Sequence, residues 1–129
     1  MAYHPDSAAR RLAIARWLFL IAGLYGLLAV APLYLRPAPA DGVAAQFRYA
    51  FAGAAGATQL MYLLIASDVA RFRPMIPVGI VSKLSFAVPC CLLVADGRLG
   101  QAMLPFAAID LLLAAAFATA WAATGPRRG

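Results

Sequence analysis

Two charged residues stand inside long apolar runs, and chemistry is most readily placed there. Lys83 is the single charge of residues 75–95, and Asp110 the single charge of residues 103–124. A charge near the centre of a bilayer costs about 2.5–3.5 kcal/mol on insertion scales, so such a residue faces a partner or a wet cavity. Gln59 adds an amide at similar depth. At the helical rise it lies about 14 Å from one boundary and Lys83 about 12 Å. Thr58, Ser82, Ser85 and Tyr25 fall at nearby depths. Lys83, Asp110 and Gln59 are therefore the candidate ligand-binding or polar centre. Such a centre binds a small ligand, passes a small solute or protons, or locks helix register. Residue type alone leaves these open. The same rise sets Asp110 about 8 Å further along the membrane normal than Lys83. Side chains lean toward their own helix N-termini, which widens that gap. The expectation is a pair bridged by water or by Gln59, or joined directly only if the helices tilt, with modest coupling. The plainer alternative has Lys83 snorkelling to the surface and Asp110 protonated or hydrogen-bonded.

Other chemistries find less support. Cys90 and Cys91 are adjacent, which is neither a C-x-x-C pair nor a metal-ligand spacing. Thiols in apolar surroundings stay protonated and inert, and cysteine packs as a small apolar residue. A quinone- or thiol-linked redox subunit using these two cysteines is the alternative function. His4 is the single histidine and all five acids are aspartate. No metal site and no cofactor are expected from that set. There is no phosphate-binding glycine loop and no nucleophile elbow. The residues thus point to a noncatalytic protein.

The elements that must carry these residues follow from composition. Of 129 residues, 64% are apolar and 12% charged, with a mean hydropathy of +0.81. A soluble domain is roughly 45–50% apolar and about 25% charged, and so short a chain leaves much of its surface exposed. Lipid is the solvent that suits it. Four charge-poor runs, residues 17–35, 49–67, 75–95 and 103–124, each approach the roughly 20 residues that cross a bilayer. Residues 36–42, 68–74 and 96–100 hold the proline, glycine and charge that end helices. Loops this short make sequential helices antiparallel neighbours. The expectation is one all-α domain over residues 1–129, an integral membrane four-helix bundle of up-down topology. No strand-length alternation suggests a barrel.

The net charge is +6. Bases scattered between apolar runs read as topogenic charge, and no nucleic-acid partner is expected. Arg10, Arg11, Arg16, Arg71, Arg73, Arg127 and Arg128 fall on one side; Arg36, Arg48 and Arg98 fall on the other. The positive-inside rule puts the first set, and both termini, in the cytoplasm of a bacterial inner-membrane protein. Trp17 and Trp121 then lie near the inner boundary, and Tyr34 and Tyr49 near the outer one. Arg71 and Arg73 should meet anionic headgroups, each worth about 1 kcal/mol. Residues 38–40, Ala-Pro-Ala, resemble a signal-cleavage site. A signal core is roughly 7–15 residues, shorter than the run at 17–35, so that run is expected to stay as a span.

Small residues mark where membrane helices approach. Ala15, Ala22, Gly26 and Ala29 form one stripe; Ala52, Gly53, Ala55 and Gly56 lead to Gln59; Ala107, Ala114 and Ala118 accompany Asp110. These stripes are expected to face protein. Pro77 and Pro105 suit first helical turns, whereas Pro89 predicts a kink. Residues 68–76, Asp-Val-Ala-Arg-Phe-Arg-Pro-Met-Ile, with Lys83 in the next span, resemble the second hairpin of small four-helix bacterial membrane proteins. In layout the chain is similar to DoxX-like proteins. That resemblance implies the four-span architecture. Some members are subunits of quinone- or thiol-linked redox systems, and no catalytic motif of theirs is present to carry over. The expected partners are the lipid bilayer and a second copy or a larger membrane complex.

Overall fold

Helix forms along each apolar run and extends beyond it, because the flanking residues also favour helix. A computed structural model describes residues 5–126; His4, Arg127 and Arg128 lie outside the described residues. Helix α1 (Pro5–Val30) begins well before the apolar run. Arginine is a good helix former, and Asp6 in the first turn complements the helix dipole. Pro32 interrupts it and starts the single turn α2 (Pro32–Leu35). Helix α3 (Gly42–Ser67) is capped by Asp41, whose carboxylate accepts the Ala44 N–H at 2.7 Å. Asp68 likewise accepts the Arg71 N–H at 3.1 Å and opens the short α4 (Val69–Phe72). A 3-10 turn, Arg73–Met75, leads into α5 (Ile76–Ala95). Gly97, at φ 69°, supplies the left-handed residue that reverses the chain. A second 3-10 turn, Gln101–Met103, leads into α6 (Leu104–Ala123). Pro77 and Pro105 sit in the first turns of their helices, as expected. Helix α5 runs through Pro89 without leaving the helical conformation. No strand occurs among the described residues.

Among the described residues, four segments are long and apolar enough to cross a membrane: Asp6–Leu35, Gly42–Ser67, Val69–Ala95 and Gln101–Ala123. Between 17% and 28% of the most apolar stretch of each is buried. Most of the apolar surface therefore faces outward, including Leu28, Phe47 and Leu112.

The long helices associate as two pairs, α1 with α3 and α5 with α6. In the first pair Gly23 meets Leu63, Gly26 meets Gln59, and Gly53 lies opposite Tyr34. In the second, Ala87, Cys90 and Ala107 form a small core with Val94 and Met103. A larger core joins the two pairs: Ala15, Phe19 and Ala22 from α1, Tyr62, Ile65 and Ala66 from α3, Ile76 from α5, and Phe117 and Ala120 from α6. Phe19 stacks on Phe117 at 4.5 Å and Tyr62 meets Phe117 edge-on at 5.0 Å. The small-residue stripes are inward only in part. Ala15, Ala22, Gly26, Ala52, Ala107 and Ala114 are buried, but Ala29, Gly53 and Ala118 are exposed. A 3.6-residue helix drifts relative to a seven-residue repeat, so Phe117 rather than Ala118 takes the inward place after Ala114.

Gly79 of α5 packs directly against the Tyr62 ring of α3. A β-carbon there would lie 2.8 Å from the Tyr62 ring and 3.5 Å from Phe117. Gly79→Ala is expected to cost about 1–3 kcal/mol through overpacking. Gly56→Ala faces open space and should gain up to about 1 kcal/mol from helix propensity. Thermal unfolding in detergent compares them, and equal stabilities would show that the Tyr62 seam is loose.

Away from this core, Arg48 clamps the connection between α2 and α3. Its Nε donates to the Leu33 carbonyl at 2.8 Å, Nη1 to Pro37 at 2.7 Å and Nη2 to Arg36 at 2.8 Å. Tyr34 stacks on Tyr49 beside it at 6.1 Å. The sequence marks Arg48 only as a topogenic charge, yet its side chain satisfies carbonyls that the ending helix leaves open.

Candidate functional site

Lys83 and Asp110 are in direct contact. Nζ donates to Oδ1 at 3.0 Å, and the two side chains are 6% and 15% exposed. This corrects the expected bridged pair. At the helical rise, runs bounded at 75–95 and 103–124 place Met103 level with Ala95. The structure instead brings the Met103 carbonyl to 3.8 Å from the Cys90 thiol, which donates to it. Cys90 is five residues below Ala95, about 7.5 Å along the helix, which removes the calculated offset. Lys83 then stands seven residues before Cys90 and Asp110 seven after Met103, so both lie two turns from the same reference point.

Lys83 is enclosed on a second side by α3. Its Nζ lies 5.4 Å from the centroid of the Tyr62 ring, a cation–π geometry worth about 2 kcal/mol when desolvated. The Tyr62 hydroxyl donates to the Gly79 carbonyl at 3.2 Å, which fixes the ring between α3 and α5. Asp110 bonds through Oδ1 alone among the described residues, and its second oxygen is open.

Gln59 is buried but separate from this pair. Its Nε2 donates to the Ala55 carbonyl at 3.1 Å, and its amide fills the space left by Gly26. Its Oε1 is buried without a partner. Thr58 and Ser85 turn back on their own helices, bonding the carbonyls of Ala54 and Ser82 at 2.9 and 2.8 Å. The observed centre is therefore Lys83, Asp110 and Tyr62, with Gln59 nearby on the α1–α3 interface. Sequence reasoning missed Tyr62. Its signal was position: it follows Gln59 by three residues, the spacing that shares a helix face.

Arg71 and Arg73 have different surroundings. Arg71 is exposed, its guanidinium 5.3 Å from the Phe72 ring centroid. Arg73 donates from Nη2 to the Trp121 carbonyl at 2.7 Å and lies 3.6 Å over the Trp121 ring. It thus caps the C-terminal turn of α6, where the helix dipole favours a cation. Cys90 and Cys91 are free thiols, the first buried and the second half-buried.

Among the described residues, fold and site together define an all-helical protein with four membrane-length apolar segments and one buried ion pair between the last two long helices. No protein-family model, curated protein or solved structure matches the chain.

Proposed function

We propose that this chain is a noncatalytic integral protein of the bacterial cytoplasmic membrane, whose Lys83–Asp110 pair is a binding centre for a small polar solute. In this reading it is an antiparallel four-span bundle with both termini in the cytoplasm, working as an accessory subunit or as a homo-oligomer. Opposed residue numbering along α1 and α3, where Gly23 meets Leu63 and Gly26 meets Gln59, supports the up-down topology. The four apolar segments and the layout similar to DoxX-like proteins support the membrane bundle.

The ion pair carries the functional reading. Apolar residues of similar volume would join α5 and α6 with no desolvation cost. The charges instead supply hydrogen-bonding groups within an apolar bundle: an open carboxylate oxygen on Asp110, and ammonium hydrogens on Lys83 beyond the one that Asp110 takes. A solute with both a donor and an acceptor matches that pair. Binding is favoured over passage along the axis of one chain, because fully buried Phe19, Tyr62 and Phe117 fill the interior beside the site.

Two measurements test this reading. Reporter fusions after Asp41 and Gly97 should report the outside, and fusions after Arg71 and Arg128 the cytoplasm. Finding Arg71 outside would overturn the orientation. Small molecules released on denaturing the purified protein should include a polar species absent from the combined Lys83→Met, Asp110→Leu variant. Identical release profiles from the two would reduce the ion pair to a helix lock.

A further inference from the structure

A cleft of about 310 Å³ lies between the early turns of α1 and the α3–α4 junction, lined by Leu12, Arg16, Trp17, Ser67, Asp68 and Val69 among others. It is remote in sequence from the Lys83–Asp110 pair and takes no part in it. Two opposite charges share it without pairing. Arg16 forms no hydrogen bond or ion pair with the described residues. Asp68 uses one carboxylate oxygen to cap the Arg71 N–H, and its other oxygen is open. Leu12 and the buried Ala66 and Val69 make one wall apolar, while Trp17 stands largely exposed at the rim. An exposed tryptophan beside an arginine, at the start of an apolar span, is the pattern of a membrane–water boundary.

We infer that this cleft binds the headgroup of an aminophospholipid, phosphate on Arg16 and primary ammonium on Asp68. The inference rests on the membrane placement proposed above. The charge pattern selects among headgroups. Phosphatidylethanolamine carries an anion and a hydrogen-bonding cation on one short link, which suits two unlike charges that do not meet each other. The quaternary ammonium of phosphatidylcholine has no hydrogen to give the carboxylate. Phosphatidylglycerol offers Arg16 the same phosphate but brings no cation, which leaves the Asp68 carboxylate without a counter-charge. Trp17 and the apolar wall suit the glycerol and first methylenes of a lipid, so the intact lipid rather than a free headgroup is the occupant.

Protein purified in detergent would be mixed with equal amounts of dioleoyl phosphatidylethanolamine, phosphatidylcholine and phosphatidylglycerol, and retained lipid counted by native mass spectrometry. Retention of phosphatidylethanolamine should exceed the other two by about threefold, the scale of one exposed ion pair. Asp68→Asn should erase that preference while preserving the cap, since asparagine and aspartate cap equally well. Arg16→Gln should lower retention of all three lipids, and Arg10→Gln, the same charge change outside the cleft, should leave the preference intact. Soluble glycerophosphoethanolamine at the lipid concentration should not displace the lipid. Equal retention of the three lipids, a preference that survives Asp68→Asn, or displacement by the soluble headgroup would each overturn the inference. A chain that stays soluble without detergent and retains no lipid would overturn the membrane placement and the inference with it.

Discussion

Replacing Asp110 with leucine is expected to destabilise the bundle by about 3–5 kcal/mol, the cost of leaving one partner of a buried ion pair uncompensated. Lys83→Met should cost less. The two side chains are 6% and 15% exposed, so the lysine left behind by Asp110→Leu is the more enclosed charge. The aspartate left behind by Lys83→Met keeps more access to its surroundings. Combining the substitutions should cost less than the sum of the two, because neither charge then remains. The coupling should fall at about 1–3 kcal/mol, in the range for residues in contact. The bridged arrangement expected from depth alone implies a value nearer about 0.5 kcal/mol. The 3.0 Å contact raises that expectation. Thermal unfolding of the four proteins in one detergent gives the cycle directly. Strict additivity would mean that Lys83 snorkels alone, and the proposed binding centre would fall with the pair. A recovered fold in the double variant also separates function from stability, since solute release should remain lost.

Tyr62→Ala should be the other large effect, about 3–5 kcal/mol for removing a fully buried ring. Tyr62 is wholly enclosed and touches both helix pairs: Phe19 at 6.2 Å, Phe117 at 5.0 Å, and the Gly79 carbonyl through its hydroxyl. It also supplies the π face beside Lys83. Tyr62→Phe keeps the ring and loses one hydrogen bond, at a cost of about 1 kcal/mol. The alanine variant should therefore lose the seam between the pairs, measured as lower thermal stability and faster proteolysis in the connection between α4 and α5. The phenylalanine variant should stay close to the unsubstituted protein. Equal losses in the two variants would place the value of Tyr62 in its hydroxyl and overturn the ring-packing account.

Much of this architecture is legible in the chain because the signals behind it are local. Runs of apolar residues with one charge or none set four helices, and their ends follow from proline, glycine and aspartate at caps and turns. Asp41 and Asp68 each accept an N–H three residues on, and Gly97 takes the left-handed turn. Lys83 and Asp110 are conspicuous for the same reason, as single charges in apolar runs. The small-residue stripes are less legible. A seven-residue spacing drifts around a straight helix, which left Ala29 and Ala118 outside.

What the sequence determined by itself is thus the helix content, the four membrane-length segments and the identity of the two charges that need a partner. Tertiary structure alone decided which partners they have. The Cys90–Met103 contact shifts α6 against α5 by about five residues from the level estimated for it, and that register, invisible to depth counting, brings Lys83 onto Asp110. Tyr62 closes the site from a third helix, while Gln59, equal in depth, turns to Gly26 instead. Arg73 goes to the end of α6 and Arg48 to the α2–α3 connection. The physical reason is the same in each case. Insertion into an apolar solvent depends on residue type and position along one helix. Pairing depends on the relative height and rotation of two helices, which packing at other contacts sets.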